Sequence, residues 1–149
     1  MRRLNLFLLF FLLPAAIVDA ASAKIIKVLP HYLDKEGHHT LAPSLYERDA
    51  YQAHLRKNAG ERGGLRFDVQ WKASGANGLK MRVELRGSAD KTPSTSVLEA
   101  GVSPGKVFSK WSALSLRDAE YQKFGELIAW RVTLWDGDRQ VAEQKSFLW

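Results

Sequence analysis

The four histidines of the chain all lie between residues 31 and 54, in a stretch that also carries the carboxylates of Asp34 and Glu36. They are His31, His38, His39 and His54. Neutral imidazole and carboxylates such as those of Asp34 and Glu36 are good ligands for zinc and copper. The helical spacing H-E-x-x-H is absent from the sequence, and adjacent histidines point to opposite faces of a strand. Two interpretations stay open: a metal-binding protein or metal-dependent enzyme that uses segment 31–54, or a polar loop that precedes a helix.

A second group of candidate residues is basic. The chain has 22 Lys and Arg against 16 Asp and Glu, which gives a formal net charge of +6 at pH 7. In segment 79–86 the polar positions are Lys80, Arg82, Glu84 and Arg86, and they alternate with apolar residues. Guanidinium groups form bidentate hydrogen bonds with carboxylates and phosphates. This row therefore predicts contact with an anionic glycan, a lipid head group or an acidic protein.

The composition excludes several classes of function. With no cysteine among 149 residues, the chain has no thiolate nucleophile, no cysteine-ligated zinc or iron–sulfur site and no disulfide. A hydrophobic fraction of 46% excludes a disordered chain, and the length is typical of one domain. The sequence has neither a basic helix nor an aromatic-rich RNA motif, so we predict no nucleic-acid partner.

The first 23 residues have the pattern of a secretory signal peptide. The basic start Met1–Arg3 is followed by the apolar run Leu4–Leu13 and by the small residues Ala21–Ala23, a pattern that suits cleavage after Ala23. The apolar run is shorter than the roughly 20 residues that cross a bilayer as a helix. We predict a signal peptide at 1–23, a mature domain at 24–149 and a periplasmic or extracellular location. The alternative is an uncleaved anchor.

Two segments of the mature chain alternate strictly between apolar and polar residues. Segment 65–72 places apolar residues at every odd position, and segment 79–86 does the same. Because side chains alternate across a strand, each segment is predicted to be a strand with one buried face. Asn77-Gly78 lies between them and favours a tight turn. We therefore expect an antiparallel pair.

Further strands are predicted in the second half of the chain. Segment 128–134 alternates in the same way, Asp136-Gly137 predicts a hairpin turn, and segment 141–149 returns as the next strand. Segment 111–116 also predicts a strand, with a bulge because Trp111 is out of phase with its leucines. Segments 95–102 and 25–29 are weaker strand candidates.

One segment has the pattern of a helix. Ser44 and Glu47 are three residues apart, as in a capping box. The residues that follow are good helix formers, and Gly60 suits the end of a helix. We predict a single helix over 44–58.

Seven short strands with one helix predict an antiparallel β-sandwich. Segment 65–71, which ends in a strand tryptophan, resembles the second strand of fibronectin type III and related immunoglobulin-like domains. Segment 81–86 resembles their third strand, and segment 130–134 resembles their penultimate strand, with Trp130 near the position of a conserved tyrosine. The resemblance implies an all-β, immunoglobulin-like β-sandwich with a helical insertion near its N-terminus.

The resemblance also predicts which side chains share a surface. In that topology the third and penultimate strands are neighbours, so that Arg131 and Trp135 join the polar row of segment 79–86. The predicted contact surface, called the basic face below, consists of Lys80, Arg82, Arg86, Arg131 and Trp135. Domains of this kind are mostly binding, spacer or assembly modules. We therefore expect a non-enzymatic binding module of the cell envelope that needs no cofactor.

Overall fold

The computed structural model describes residues 21–76, 78–105 and 108–149, so the predicted signal peptide lies outside the described residues except for its last three positions. The described ranges contain seven strands and two α-helices. In chain order they are β1 (Ser22–Asp34), α1 (Leu45–Lys57), β2 (Arg62–Ser74), β3 (Leu79–Ala89), β4 (Thr92–Val102), β5 (Lys110–Arg117), α2 (Asp118–Phe124), β6 (Glu126–Asp136) and β7 (Arg139–Lys145). The mainly β composition predicted from the sequence is confirmed. Neither helix is long and apolar enough to span a bilayer.

The strands form two antiparallel sheets. One sheet has the order β1-β2-β5, and the other has the order β4-β3-β6-β7. The expected pairing of segments 65–72 and 79–86 is therefore wrong, because they lie in β2 and β3, which belong to different sheets. The alternation of apolar and polar residues determines which face of a strand is buried. It does not determine which other strand is its hydrogen-bonded partner. Asn77 of the expected turn lies outside the described residues.

The buried faces of β2 and β3 contribute to one apolar core. Their buried side chains are those predicted by the alternation, namely Leu65, Phe67, Val69, Trp71, Leu79, Met81, Val83 and Leu85. One cluster contains all of them, together with residues of β1, β5, β6 and α2. Full burial of one such side chain stabilises the fold by roughly 1.5–3 kcal/mol. The two alternating segments therefore anchor the core.

Two other predicted strands bury different side chains from those expected. The pairing of β5 with β2 has no register shift, so the expected bulge at Trp111 is wrong. Trp111 is instead 52% exposed on the outer face, whereas Leu114 and Leu116 are buried. In β6 a register shift against β3 leaves Ile128 without a partner on that strand, and Ile128 is 51% exposed. A bulged residue of this kind leaves the alternation of its strand.

The hairpin of β6 and β7 agrees with its prediction at the turn and differs from it at the far end. Gly137 and Asp138 alone separate the two strands. Gly137 has a φ of 58°, a left-handed conformation that favours glycine. The expected strand over 141–149 is too long, because β7 ends at Lys145. The four residues after Lys145 leave the sheet.

Helix α1 begins as predicted and packs on β1. The Ser44 hydroxyl oxygen accepts the Glu47 amide at 3.1 Å, which is the N-cap hydrogen bond of a capping box, and the hydroxyl donates to the Glu47 carboxylate at 3.1 Å. Leu55 of α1 is fully buried. The Gln52 side chain accepts the amide of Tyr32 in β1 and donates to the carbonyl of the same residue. These contacts fasten the helix to the outer strand of the three-stranded sheet.

The structure contains a second helix, α2, where the predicted fold has only one. Tyr121 and Phe124 of α2 are buried in the core. The seven residues of α2 are too few to show a helical apolar repeat in the sequence. The Phe124 ring packs on Gly87 of β3, where an added Cβ atom would lie 2.5 Å from the ring. Glycine at position 87 therefore allows α2 to approach the four-stranded sheet.

Arg62, the first residue of β2, joins α1 to both sheets. Its Nε donates to the Leu55 carbonyl at 2.6 Å, and a second guanidinium nitrogen donates to the Arg56 carbonyl. Its Nη1 lies 2.5 Å from Glu126 Oε2 at the start of β6, and the guanidinium lies 4.0 Å from the centre of the Tyr32 ring. The side chain thus supplies donors to carbonyls that the last turn of a helix leaves without partners.

Candidate functional site

The structure brings all five residues of the basic face to the outer side of the four-stranded sheet. β3 and β6 are hydrogen-bonded neighbours, with Lys80 opposite Trp135 and Glu84 opposite Arg131. Along β3 the basic side chains are exposed or half-buried, whereas the residues between them are buried. The predicted neighbourhood of the third and penultimate strands is therefore confirmed.

Carboxylates divide this face into ion pairs. Arg82 Nε lies 2.6 Å from Glu99 Oε1, and Lys80 Nζ lies 3.8 Å from the same oxygen. Arg131 makes two hydrogen bonds with the Glu84 carboxylate, at 2.8 and 3.0 Å. The hydrogen bond from Arg82 lowers the pKa of Glu99, and the one to Glu84 raises the pKa of Arg131. The face thus carries both positive and negative side chains. Its five predicted residues alone would form a uniformly basic surface.

Two tryptophans lie against the arginines of this face. The Arg82 guanidinium is 5.5 Å from the centre of the Trp135 ring. Trp149 lies after the last strand, and its ring centre is 3.9 Å from the Arg86 guanidinium and 4.9 Å from that of Arg131. Trp149 was not predicted from the sequence to lie on this face, because the expected strand over 141–149 would carry it away from β3. It reaches Arg86 only because the chain turns after Lys145.

Two basic side chains of the four-stranded sheet have no carboxylate partner on this face. Among the described residues, Arg86 and Lys145 have no carboxylate oxygen within 4.0 Å, whereas Lys80 and Arg82 share Glu99 and Arg131 is paired with both Glu84 and Glu143. Lys145 lies opposite Arg131 in the pairing of β6 with β7, so both unpaired cations flank the strand that carries Arg131. The end of the face beside Trp149 is therefore best suited to an anion.

The four histidines are distributed over three places. His31 and His39 have ring centres 5.3 Å apart, on the outer side of the three-stranded sheet. His38 lies in the loop after β1, and His54 lies in α1, where its Nε2 is 2.7 Å from Glu61 Oε2. Segment 31–54 thus comprises the end of β1, a polar loop and most of α1, and it does not bring its four imidazoles to one point.

One group in this segment has the spacing of a metal site. Ligand atoms of Asp34, Glu36 and His38 all lie within 4.8 Å of one another. Asp34 Oδ1 already accepts the amides of Glu36 and His38 at 2.9 and 2.8 Å, and Oδ2 accepts the Tyr51 hydroxyl at 2.7 Å. Burial alone would raise the pKa of Asp34, but these hydrogen bonds outweigh it and lower the pKa. The carboxylate therefore organises the loop, and a metal ion would compete with its present donors.

A second carboxylate, that of the partly buried Asp68 of β2, lies beside His31. Its Oδ2 is 3.2 Å from His31 Nδ1, and Arg66 donates to both of its oxygens at 2.8–3.1 Å. Burial opposes ionisation, but the bonds from His31 and Arg66 outweigh it and lower the pKa of Asp68 to about 2. Burial also lowers the pKa of the adjacent His39, with Arg66 as the second cause. This cluster holds the loop after β1 against β2.

The pKa of Asp68 predicts an acid-dependent loss of stability. Because the folded state favours the carboxylate, its contribution of about 2 kcal/mol is present above the unfolded pKa near 4 and is lost as the pH falls toward 2. We expect Asp68→Asn to be less stable than the parent chain at pH 6 by about this amount, and the gap to shrink by pH 2. Urea unfolding across this pH range measures the gap. Parallel pH profiles for the two chains would contradict the assignment.

Comparisons with family models, curated proteins and solved structures found no match to this chain.

Proposed function

We propose that this chain is an exported, non-enzymatic binding or assembly module of the cell envelope. It contacts an anionic glycan, a lipid head group or an acidic protein through the basic face. The observation that carries the proposal is the contact of Arg86, which has no carboxylate partner among the described residues, with the Trp149 ring, together with the exposed Lys145 opposite the neighbouring Arg131. Surface cations attract anions of any kind, but fixed guanidinium and indole groups also supply directed hydrogen bonds and an apolar plane.

The contacts of Arg86 leave its hydrogen-bonding edge available. Its guanidinium lies 3.9 Å from the centre of the Trp149 ring, at the distance of a cation–π contact. The planar fork of an arginine can then donate to a carboxylate, sulfate or phosphate while its position is held by the indole. A side chain that is already ordered loses less entropy when a partner binds.

The ion pairs of the basic face also support a role in binding an anionic partner. Arg131 is fixed by Glu84 at 2.8 Å, and it also contacts Trp149 at 4.9 Å. The indole therefore lies against two guanidinium groups, those of Arg86 and Arg131, and the charge of Arg131 is balanced by its carboxylate partners. We infer that the partner's anionic groups are bound by Arg86 and Lys145, and that Arg82, Arg131 and Trp135 shape the surface around them.

We also propose that the two sheets form an immunoglobulin-like β-sandwich. In that fold the first, second and fifth core strands share one sheet, while the third, sixth and seventh share the other. The orders β1-β2-β5 and β4-β3-β6-β7 fit this division, with β4 added beside β3. A single apolar cluster with residues from both sheets supports a face-to-face arrangement. Trp130 contributes to it by packing edge-on against Phe67, with ring centres 6.5 Å apart.

Export is part of the proposal and rests on the sequence of residues 1–23. Cleavage after Ala23 would fall inside β1 and would remove the pairs of Ser22 with Ser74 and of Ala23 with Ala73. The remaining pairs of β1 run from Lys24 to Asp34. The processed chain would therefore keep most of this strand.

The proposal is tested by charge removal at two matched places. We expect Arg86→Ser/Lys145→Ser to weaken binding to heparin, a soluble sulfated polyanion, by at least about tenfold, which corresponds to roughly 1.4 kcal/mol. Charge-assisted hydrogen bonds contribute roughly 1.5–3 kcal/mol each, so two lost cations can account for this change. The dependence of affinity on salt should also become shallower. Isothermal titration calorimetry at several salt concentrations measures both effects.

The control removes the same charge from the other sheet. Lys24 and Lys27 are exposed on β1, and Lys24→Ser/Lys27→Ser lowers the net charge by the same two units. We expect this control to bind heparin within about threefold of the parent chain, because only screened long-range attraction is lost. Equal losses in both double variants would mean that net charge alone attracts the polyanion, and the basic face would then have no special role.

A further inference from the structure

The segment after β7 presents apolar side chains to water next to the basic face. Phe147 is fully exposed, and Leu148 is 66% exposed. Large apolar side chains that are exposed next to one another commonly mark a surface that contacts a partner or a membrane.

The base of this segment is held in place by hydrogen bonds. The Ser146 amide donates to the Trp130 carbonyl at 2.9 Å, and the Trp130 amide donates to Ser146 Oγ at 3.0 Å. The Trp149 amide then donates to the Ser146 carbonyl at 3.2 Å, which closes a tight turn around Phe147 and Leu148. The two apolar side chains are thus displayed on a turn that is fixed at both ends.

Cations surround the same turn. Lys145 precedes it directly, and Trp149 at its other end lies against Arg86. One residue separates Lys145 from Phe147, and one separates Phe147 from Trp149, so a cation lies at each end of the turn. Exposed apolar tips with a basic rim suit the interface of an anionic bilayer, which receives apolar groups and offers phosphates at the same depth.

We propose that this turn binds an anionic lipid bilayer, with Phe147 and Leu148 inserted among the acyl chains and Arg86 and Lys145 at the lipid phosphates. The proposal rests on the proposed function and names the lipid head group as the anionic partner. Trp149 then lies at the level of the head groups, where indole rings are favoured. A soluble glycan or an acidic peptide would occupy the cations without needing the exposed phenylalanine and leucine.

A second exposed apolar pair on the chain lies in a different electrostatic setting. Leu45 and Tyr46, in the first turn of α1, are 67% and 84% exposed. They are followed by Glu47, Arg48 and Asp49, and because Arg48 pairs with Asp49 at 3.1 Å, the net charge beside them is negative and disfavours contact with an anionic surface. This pair therefore provides a control of similar apolar area at a place where no membrane contact is expected.

The test measures binding to vesicles of phosphatidylcholine with and without phosphatidylglycerol. Phe147→Ser/Leu148→Ser and the control Leu45→Ser/Tyr46→Ser are compared with the parent chain, all with the same N-terminus. We expect the parent chain and the control to sediment with the phosphatidylglycerol vesicles and to leave pure phosphatidylcholine vesicles unbound. The Phe147→Ser/Leu148→Ser variant should bind at least about tenfold more weakly to the vesicles and should bind heparin unchanged.

The outcomes separate this inference from the proposed function. Equal vesicle binding by the two double variants, or no vesicle binding by a parent chain that still binds heparin through Arg86 and Lys145, would overturn the bilayer inference and leave the binding module intact. A parent chain that binds neither vesicles nor heparin would overturn both. Because all four substituted side chains are exposed, thermal unfolding should show that every variant folds.

Discussion

Replacing Arg62 with methionine is expected to lower the free energy of unfolding by roughly 3 kcal/mol. The side chain is 5% exposed, and its loss leaves the Leu55 and Arg56 carbonyls without their donor. A buried acceptor without a partner costs roughly 1–3 kcal/mol. The ion pair with Glu126 is lost as well, but Glu126 is exposed enough to regain water. Urea unfolding of the variant measures the change.

A control in α1 distinguishes this role of Arg62 from a general effect of charge. Arg56 is exposed, and Arg56→Met should change stability by no more than about 0.5 kcal/mol. Arg62→Lys should fall between the two, because a lysine keeps the charge but lacks the planar fork that reaches several acceptors. Hydrogen exchange should show that the amides of α1 lose protection first in Arg62→Met. An Arg62→Met chain as stable as its parent would contradict the proposed link between α1 and the sheets.

Replacing Gly125 with alanine is expected to destabilise the fold by roughly 4 kcal/mol. Gly125 ends α2 with a φ of 77°, a conformation that costs other residues roughly 1–3 kcal/mol. An added Cβ would lie 2.3 Å from the Ser88 carbonyl oxygen of β3, and such overpacking costs a further 1–3 kcal/mol or so. Because backbone atoms cause the overlap, α2 would have to move away from β3. Thermal and urea unfolding measure the loss.

Substitutions at two other glycines distinguish the cost of a positive φ from the cost of the steric overlap with β3. Gly137 has a φ of 58° and open space around its Cβ position, and Gly60 has open space without a positive φ. We expect Gly137→Ala to cost roughly 1–2 kcal/mol and Gly60→Ala to be neutral or slightly stabilising. If Gly125→Ala cost no more than Gly137→Ala, the close packing of α2 on β3 would be contradicted.

The faces of the strands could be predicted from the sequence, while their partners could not. The period-two pattern of segments 65–72 and 79–86 identifies Phe67 and Val83 as core residues, and both are fully buried. The same pattern is compatible with two strands that pair within one sheet and with two strands that pack against each other from different sheets. The choice depends on contacts across the core, which a local pattern does not contain.

The candidate site was predicted in part for the same reason. Lys80, Arg82 and Arg86 follow from the alternation of β3, and the family resemblance adds Arg131 and Trp135. Glu99 and Trp149 were not predicted, since they come from β4 and from a turn beyond β7. Their positions depend on sheet order and on the hydrogen bonds of Ser146, which has no distinctive sequence pattern.

The helices show how local signals differ in strength. The capping-box pattern of Ser44 and Glu47 marks the start of α1 in the sequence, and the Ser44 hydroxyl oxygen accepts the Glu47 amide as that motif requires. Helix α2 begins at Asp118, and its N-cap residue Arg117 makes no side-chain capping hydrogen bond, so no local motif in the sequence predicts this helix. Its position depends on the burial of Tyr121 and Phe124 and on the close approach that Gly87 permits.

The contact role of the basic face is tested most directly by the indole N–H signals of the tryptophans in a proton–nitrogen correlation spectrum. A heparin hexasaccharide is added to the labelled chain, and each signal is assigned from a Trp→Phe variant. We predict that the signals of Trp135 and Trp149 shift on binding. The signal of Trp71, which is buried and bonded to Ser112, and that of Trp111 on the other sheet should stay in place. Shifts at Trp111 with none at Trp135 and Trp149 would contradict the assignment of the contact surface to the four-stranded sheet.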